Sequence, residues 1–239
     1  MSSPASAPAP CLSVVMPAFN EERTIESCLR AVLLQPLVLE VIVVDDCSAD
    51  GTLAVVRKFA ESEPRVRVVA CPKNRGKGAA LREGFAVCIG EVVIVQDADL
   101  EYDPDDYPKL LDPILKGHAD AVLGSRFLGG GPRRVLFFWH CMGNKFLTFL
   151  SNCMTGLNLS DMETGYKAMR LAVLRRLRLT ENRFGIEPEI TAKLAHLRVP
   201  IYEVPVSYYG RTYAEGKKIG WKDGVRAIWC IIKYAFARS

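Results

Sequence analysis

The chain has 239 residues, 49% of them hydrophobic and 24% charged, and a formal net charge of +4 at pH 7. This length suits one domain with a full core, and the small net charge gives no indication of nucleic-acid binding. The sequence contains no run near the ~20 apolar residues that cross a bilayer. Its eight cysteines include no Cys-x-x-Cys pair, which argues against a zinc site or a disulfide framework and favours a reducing, cytoplasmic compartment.

The N-terminal segment is rich in Ser, Ala and Pro, and it has neither the basic start nor the apolar core of a signal peptide. We therefore predict a flexible lead-in over residues 1–10, followed by a single domain over residues 11–239.

Apolar strands alternate with helices through the first half of the chain. We predict strands over 12–17, 38–44, 66–70 and 91–95, and helices over 21–34, 52–60 and 78–87, the first of them capped by Asn20. In the second half we predict helices over 106–116, 187–195 and 222–237, and strands over 119–124 and 201–208. This order is typical of a Rossmann-like α/β fold, in which a mostly parallel sheet has helices on both faces.

Polar residues follow three of the predicted strands, at the positions where the strands end. They lie in residues 17–22, in the pair Asp45-Asp46 and in residues 97–101. Because parallel sheets bind ligands at the carboxyl ends of their strands, we expect the three groups to share one edge of the sheet.

The third group contains carboxylates at alternate positions, Asp97, Asp99 and Glu101. The side chains of alternate residues point to the same side of an extended chain, so these carboxylates repel one another unless a cation lies among them. Oxygen ligands of this kind suit Mg²⁺ or Mn²⁺ carrying a phosphate. The alternative is a solvated acidic loop. With the Pro-Ala-Phe-Asn-Glu segment after the first strand, the pattern indicates a site for a nucleoside diphosphate.

Three segments resemble the signatures of the family 2 glycosyltransferases, namely residues 14–22, 43–52 and 96–99. The resemblance extends over nearly the whole chain after the lead-in, and it implies the GT-A fold and a reaction that inverts configuration at the sugar carbon. Later segments resemble the polyprenyl-phosphate branch, which includes dolichol-phosphate mannose and glucose synthases. These segments are residues 97–104, residues 124–127, and Arg211 with Lys217-Lys218.

The resemblance implies roles for individual residues. The residues that would contact the nucleotide are Pro17, Ala18, Asn20, Glu22, Asp46 and Asp97. The metal, Mg²⁺ or Mn²⁺, would be held by Asp97, Asp99 and Glu101. Close relatives often have Gln in place of this glutamate, so the choice of metal stays open.

Catalysis would rest on Asp99, Arg126 and Arg211. Arg126 would meet the diphosphate or the acceptor phosphate, and Arg211 would close over the phosphates with Lys217 or Lys218. The family form of this C-terminal loop is usually shorter, so the choice between the two lysines stays open.

The implied reaction is displacement of a nucleoside diphosphate from a UDP- or GDP-linked sugar by a phosphate oxygen of a polyprenyl phosphate. A phosphate monoester is already anionic near neutral pH, so positioning and charge neutralisation suffice. A saccharide or other hydroxyl acceptor would instead need a carboxylate base, for which Asp161 and Glu163 are the candidates. A sugar-nucleotide nucleotidyltransferase or a non-catalytic binder is a further alternative, although the first strand lacks the Gly-rich phosphate loop usual in nucleotidyltransferases.

Two segments of the second half have the composition of membrane-surface helices. We predict interface helices over 132–158, with an ordinary core or homodimer helix as the alternative, and a basic loop and helix over 211–239. Arg133 and Arg134 either reach a lipid phosphate or flank the start of a helix. We expect a peripheral protein at the cytosolic face of a membrane, attached directly or through a membrane-protein partner.

Other residues that invite a chemical interpretation receive a structural one. The turn over residues 75–78 matches neither phosphate-loop pattern, so we predict that it starts a helix, with its basic residues available to the donor. Glu187 and Glu189 are predicted to cap or orient a helix, with a role near the acceptor as the alternative. The three histidines share no spacing, and we assign none to a metal.

Overall fold

A computed structural model of the chain describes residues 9–129, 134–135, 138–211 and 221–237, with only the backbone described at 221–222. The elements are β1 Leu12–Ala18, α1 Ile25–Leu33, β2 Val38–Asp45, α2 Thr52–Ser62, β3 Val66–Ala70, α3 Lys77–Ala86, β4 Val92–Val95, a 3-10 turn Pro104–Asp106, α4 Tyr107–Leu115, β5 Ala121–Ser125, α5 Phe138–Thr155, β6 Lys167–Arg170, α6 Leu171–Leu174, α7 Ile186–Leu197, β7 Ile201–Pro205 and α8 Trp221–Phe236.

In the described part of the chain, seven strands form one sheet in the order β3-β2-β1-β4-β6-β5-β7. The pairs β1–β2, β1–β4, β2–β3 and β5–β7 are parallel, and β6 runs antiparallel to both of its neighbours. The predicted α/β fold with a mostly parallel sheet is therefore confirmed.

Alternation along the central strands supplies a core on each face of the sheet. In β1, Val14 and Met16 pack into one apolar cluster and Val15 packs into the other. In β4, Ile94 and Val95 divide in the same way. Because both faces of these strands are covered, their sequences are apolar at every position except Ser13, as expected for parallel strands.

Some predicted boundaries differ from the structure. The predicted helix cap at Asn20 is wrong, because α1 begins at Ile25 with Thr24 at its N-cap, and Asn20 has a left-handed φ of 54°. The last predicted strand ends at Pro205, and Tyr208 forms only an isolated bridge with Tyr102. Strand β6 was not predicted, since four residues that begin with Lys and end with Arg carry little strand signal.

The strand order places three polar strand ends side by side. Strand β1 lies between β2 and β4, and the three strands are parallel, so residues 18–22, 45–46 and 97–101 share one edge of the sheet. We call this the carboxyl edge. Helices α5 and α8 pack against each other. Among the described residues, no helix is long and apolar enough to cross a membrane.

Candidate functional site

The end of β2 holds the turn that precedes α3. Asp46 is buried, and its carboxylate accepts hydrogen bonds from the backbone N–H groups of Arg75 and Gly76, at 2.9 and 2.6 Å. Gly76 has a φ of 94°, and a Cβ at this position would lie 2.7 Å from the backbone oxygen of Asn182. Only glycine therefore fits a turn that both the carboxylate and a neighbouring loop approach so closely.

The loop after β1 is tied to the loop after β2. Asn20 Oδ1 accepts from the backbone N–H of Ala49 at 2.8 Å, and Glu22 Oε2 accepts from that of Gly51 at 3.0 Å. Two predicted nucleotide ligands thus use side-chain oxygens to fix the wall of the carboxyl edge. Pro17 and Ala18, which are also predicted to contact the nucleotide, are residues of β1, and all six nucleotide assignments stay predictions.

The predicted metal ligands lie together at the carboxyl edge, and arginine and lysine side chains contact them. The guanidinium of Arg211 lies 3.0 Å from Asp99, 3.2 Å from Glu21 and 3.3 Å from Glu101. The ammonium of Lys77 lies 2.8 Å from Asp97. Sequence reasoning did not assign a site role to Glu21, whose carboxylate joins the cluster from the loop after β1.

The acid cluster, formed by Glu21, Asp97, Asp99 and Glu101, carries more negative charge than Arg211 and Lys77 offset. Burial, followed by repulsion from Asp97 and Glu101, raises the pKa of Asp99 to about 7, and Arg211 only partly offsets this increase. The oxygen donors and the surplus negative charge suit a divalent cation. In the described part of the chain, however, no three Asp, Glu, His or Cys side chains are already arranged to hold a metal ion.

Arg126 is held in place by Asp161. Its Nε and Nη2 donate to the two carboxylate oxygens at 2.7 and 2.8 Å, and its backbone N–H donates to the same group at 3.0 Å. Asp161 is fully buried and Arg126 is 6% exposed. The guanidinium also lies over the ring of Tyr208, whose hydroxyl donates to Glu101 at 2.7 Å. Arg126 is therefore linked to the acid cluster through this tyrosine.

This pairing bears on the two candidate bases. The Asp161 carboxylate accepts three hydrogen bonds from Arg126, so the geometry does not present it to an acceptor. Glu163 differs, because its Oε1 is buried and has no hydrogen-bond partner among the described residues. Burial, followed by repulsion from Glu187, raises the pKa of Glu163 to about 7.

A row of buried charges connects Asp97 at the carboxyl edge to the segment that carries Asp161 and Glu163. Glu187 lies 3.1 Å from the ammonium of Lys77 and 2.5 Å from that of Lys167. Burial alone would lower the pKa of Lys77, but Asp97 and Glu187 outweigh it and raise that pKa. We did not predict this arrangement. The sequence signals were the basic turn before α3, which we expected to be available to the donor, and Glu187 itself, for which a role near the acceptor was an alternative.

Of the four basic residues predicted to contact the acceptor or the phosphates, the structure describes Arg134. The backbone N–H of Arg134 donates to the backbone oxygen of Tyr208 at 2.9 Å, and its Nη1 donates to that of Gly210 at 3.0 Å. This places Arg134 beside the segment that leads to Arg211. The other predicted acceptor contacts, Arg133, Lys217 and Lys218, lie outside the described residues.

Comparisons with known proteins place the chain in a family. Residues 13–178 match the family model described as Glycosyl transferase family 2. The chain is 30% identical over 213 residues to a dolichol-phosphate mannosyltransferase of Pyrococcus furiosus, with 87% of this chain aligned to 59% of that protein's length. It is 30% identical over 216 residues to an undecaprenyl-phosphate mannosyltransferase of Micrococcus luteus, with 86% of each protein aligned. A polyprenol monophosphomannose synthase of Mycolicibacterium smegmatis is 29% identical over 214 residues, which are 87% of this chain and 80% of that protein.

Solved structures share the fold. A complex of glucosyl-3-phosphoglycerate synthase from Mycobacterium tuberculosis with Mn²⁺, UDP and phosphoglyceric acid has a TM-score of 0.73 at 24% identity, over 96% of this chain and 80% of that one. A complex of the same enzyme with Mg²⁺ and UDP has a TM-score of 0.71 at 25% identity, with the same coverage. The predicted GT-A fold is therefore confirmed.

Proposed function

The chain belongs to glycosyl transferase family 2, and we propose that it moves a sugar from a UDP- or GDP-linked donor to a polyprenyl phosphate. The observation that carries the proposal is the joining of Asp99, Arg211 and Arg126 at the carboxyl edge through Glu101 and Tyr208. The names of the relatives support the choice of acceptor, since they describe transfer to dolichol, undecaprenyl and polyprenol phosphates.

In the proposed reaction, a phosphate oxygen of the acceptor attacks the anomeric carbon while the bond to the nucleoside diphosphate breaks. The acceptor oxygen is already anionic, so the chain has to position two phosphate groups and offset their charge. Arg126 and Arg211 supply positive charge at the carboxyl edge. Tyr208 links them, because its ring contacts Arg126 and its hydroxyl donates to Glu101, which pairs with Arg211. Asp97, Asp99 and Glu101 would hold Mg²⁺ or Mn²⁺, which neutralises charge on the leaving diphosphate.

Calorimetric titration of UDP and GDP, each with Mn²⁺, with Mg²⁺ and with EDTA, tests the donor side alone. We expect one nucleotide to bind when metal is present and to bind at least 10-fold more weakly in EDTA, because the carboxylates at the edge repel an uncompensated diphosphate. Failure of both nucleotides to bind in any condition would contradict the proposal.

We further propose that the protein lies peripherally on the cytosolic face of a membrane. The described parts of α5 and α8 carry apolar side chains that are each 42–82% exposed, and we call these residues the apolar surface: Phe138, Trp139, Met142, Phe146, Phe149, Val225, Trp229, Ile232 and Phe236. Exposed aromatic and aliphatic side chains in this number indicate a membrane or protein partner. Because the proposed acceptor is a lipid, we propose the membrane as the partner of this surface.

Replacing Trp139 and Phe146 together with glutamate is expected to weaken binding to phosphatidylcholine–phosphatidylglycerol vesicles at least 10-fold, because each ring contributes about 1.5–3 kcal/mol when fully buried in an apolar phase. Co-sedimentation measures the change. The matched control is Ile89→Glu, an exposed apolar residue that precedes β4 at the opposite edge of the sheet. Equal vesicle binding by the wild type, the double variant and the control would contradict attachment through the apolar surface, and a change of oligomeric state in the double variant would point to a dimer instead.

Transfer to a hydroxyl acceptor is the second candidate function, and it is favoured by the buried Oε1 of Glu163, which has no hydrogen-bond partner among the described residues. A base must be deprotonated, so with a pKa of about 7 its activity would rise as the pH increases through 7.

The variant Glu163→Gln separates the two functions. Transfer to a lipid phosphate predicts a loss in kcat/KM of no more than about 3-fold and an unchanged pH profile, since no base is required. Transfer to a hydroxyl predicts a loss of about 10²–10⁴-fold and disappearance of the ascending limb near pH 7. Initial rates between pH 5.5 and 9 decide between them, with ~0.5 pH steps resolving the limb.

A further inference from the structure

The carboxylate of Glu187 lies between two ammonium groups that belong to different parts of the site. Lys77 is the first residue of α3 and pairs with Asp97 on the nucleotide side, at 2.8 Å. Lys167 is the first residue of β6, and its ammonium also donates to the backbone oxygens of Met162, at 3.3 Å, and Thr164. Glu187 is 5% exposed, and both lysines are largely buried, so solvent does little to screen these pairs.

The segment that Lys167 holds lies directly against Asp97. A Cβ at Gly165 would come within 2.6 Å of Asp97 Oδ2, and the backbone N–H of Gly165 donates to the hydroxyl of Tyr102 at 2.8 Å. The contacts therefore close a ring from Asp97 through Lys77, Glu187, Lys167 and the backbone of residues 164–165 back to Asp97. The same segment carries Asp161 and Glu163. One buried carboxylate thus joins the nucleotide side of the site to its acceptor side.

Glu189, two residues further along α7, shows what a purely structural buried glutamate looks like here. It is fully buried and pairs with Lys193 at 2.8 Å. Its other hydrogen bonds come from the backbone N–H groups of Thr180 and Glu181 and from the Thr180 hydroxyl. All of these partners lie on α7 or on the segment that precedes it. Glu189 and Glu187 therefore match in residue type, helix and burial, and differ in their ion pairs: Lys193 lies on α7, whereas Lys77 and Lys167 reach Asp97 and the segment that carries Asp161 and Glu163.

We propose that Glu187 is a positioning residue that fixes Lys77 beside Asp97 and fixes the 160–166 segment through Lys167. This inference rests on the proposed function and assigns a role to Glu187, which takes no part in the proposed reaction. The ring holds two carboxylates and two ammonium groups, so its charges balance. Without the charge of Glu187, Lys77 would pair with Asp97 alone and compete with a bound metal for that carboxylate. Lys167 would keep only carbonyl partners, and its hold on the acceptor segment would weaken.

The variant Glu187→Gln, with Glu189→Gln as its matched control, tests the proposal. Both variants weaken a buried ion pair, so we expect both to lower the melting temperature. Only Glu187→Gln is expected to raise the Kd for the nucleoside diphosphate with metal about 10-fold and to lower kcat about 10–100-fold, as is typical when the partner of a metal ligand is lost. Glu189→Gln should stay within about 2-fold of the wild type in both quantities, because its ion-pair partner, Lys193, lies on the same helix and pairs with none of the predicted site residues. Equal nucleotide affinity and kcat in the two variants would overturn the proposal.

If Glu187→Gln does not fold, the double variant Lys167→Met, Glu187→Gln tests the proposal instead, because it removes both charges of the buried pair together. We expect this protein to fold and still to bind nucleotide weakly, since Lys77 remains paired with Asp97 alone. Wild-type nucleotide affinity in the folded double variant would overturn the proposal. The nucleotide is UDP or GDP, whichever the wild type binds, and the titration needs no acceptor. Absence of lipid glycosylation would therefore contradict the proposed acceptor without deciding the role of Glu187.

Discussion

Replacing Asp99 with asparagine is expected to lower kcat/KM for sugar transfer by about 10²–10³-fold while the protein stays folded. The carboxylate lies against Arg211 in the acid cluster at the carboxyl edge, where we propose that metal and diphosphate bind. Steady-state release of nucleoside diphosphate measures the loss. The amide has the same shape but neither the charge nor the metal affinity of the carboxylate.

The Asp99→Asn variant should lose activity without losing stability. Burial and repulsion from Asp97 and Glu101 raise the pKa of Asp99 to about 7, well above the value in an unfolded chain. A carboxyl group with a raised pKa favours the folded state at low pH, and this contribution is lost as the pH rises through 7. At pH 8 the variant should therefore be at least as stable as the wild type in urea. Asp105→Asn, in an exposed residue that contacts Gln35, is the control for activity. An Asp99→Asn protein that retains more than about a tenth of wild-type activity would contradict the account.

Replacing Asp161 with alanine is expected to lower the free energy of unfolding by about 3–5 kcal/mol, because it leaves Arg126 buried without its carboxylate partner. Urea denaturation at constant pH measures this change. The double variant Arg126→Met, Asp161→Leu removes both charges, so most of the stability should return while transfer remains lost. If Asp161→Ala instead kept wild-type stability and lost transfer, Asp161 would act in the reaction, and the hydroxyl-acceptor function would gain support.

Local pattern predicted the part of the site that depends on strand ends. Apolar strands that alternate with helices imply parallel pairing, and parallel pairing alone places Asp46, Asp97 and Asp99 at one edge. The same reasoning could not show that β6 enters the sheet antiparallel between β4 and β5, since a four-residue strand has too little pattern to reveal its direction.

Long-range pairing was beyond prediction. Asp161 looked like a free base in the sequence because its partner, Arg126, lies 35 positions away. Lys77 and Lys167 meet at Glu187 only after α3, β6 and α7 have packed together, and no spacing between these residues records it. The Asn20 cap was wrong for a related reason, since its side chain binds the backbone of Ala49, 29 positions away, instead of the helix that follows.

The most direct test of the central claim is release of nucleoside diphosphate from a panel of UDP- and GDP-sugars, with Mg²⁺ or Mn²⁺, in the presence and absence of a short polyprenyl phosphate. We expect release that depends on the lipid phosphate, with the sugar recovered on the lipid. Release that is unaffected by the lipid phosphate and is stimulated by a saccharide or another hydroxyl compound would contradict it.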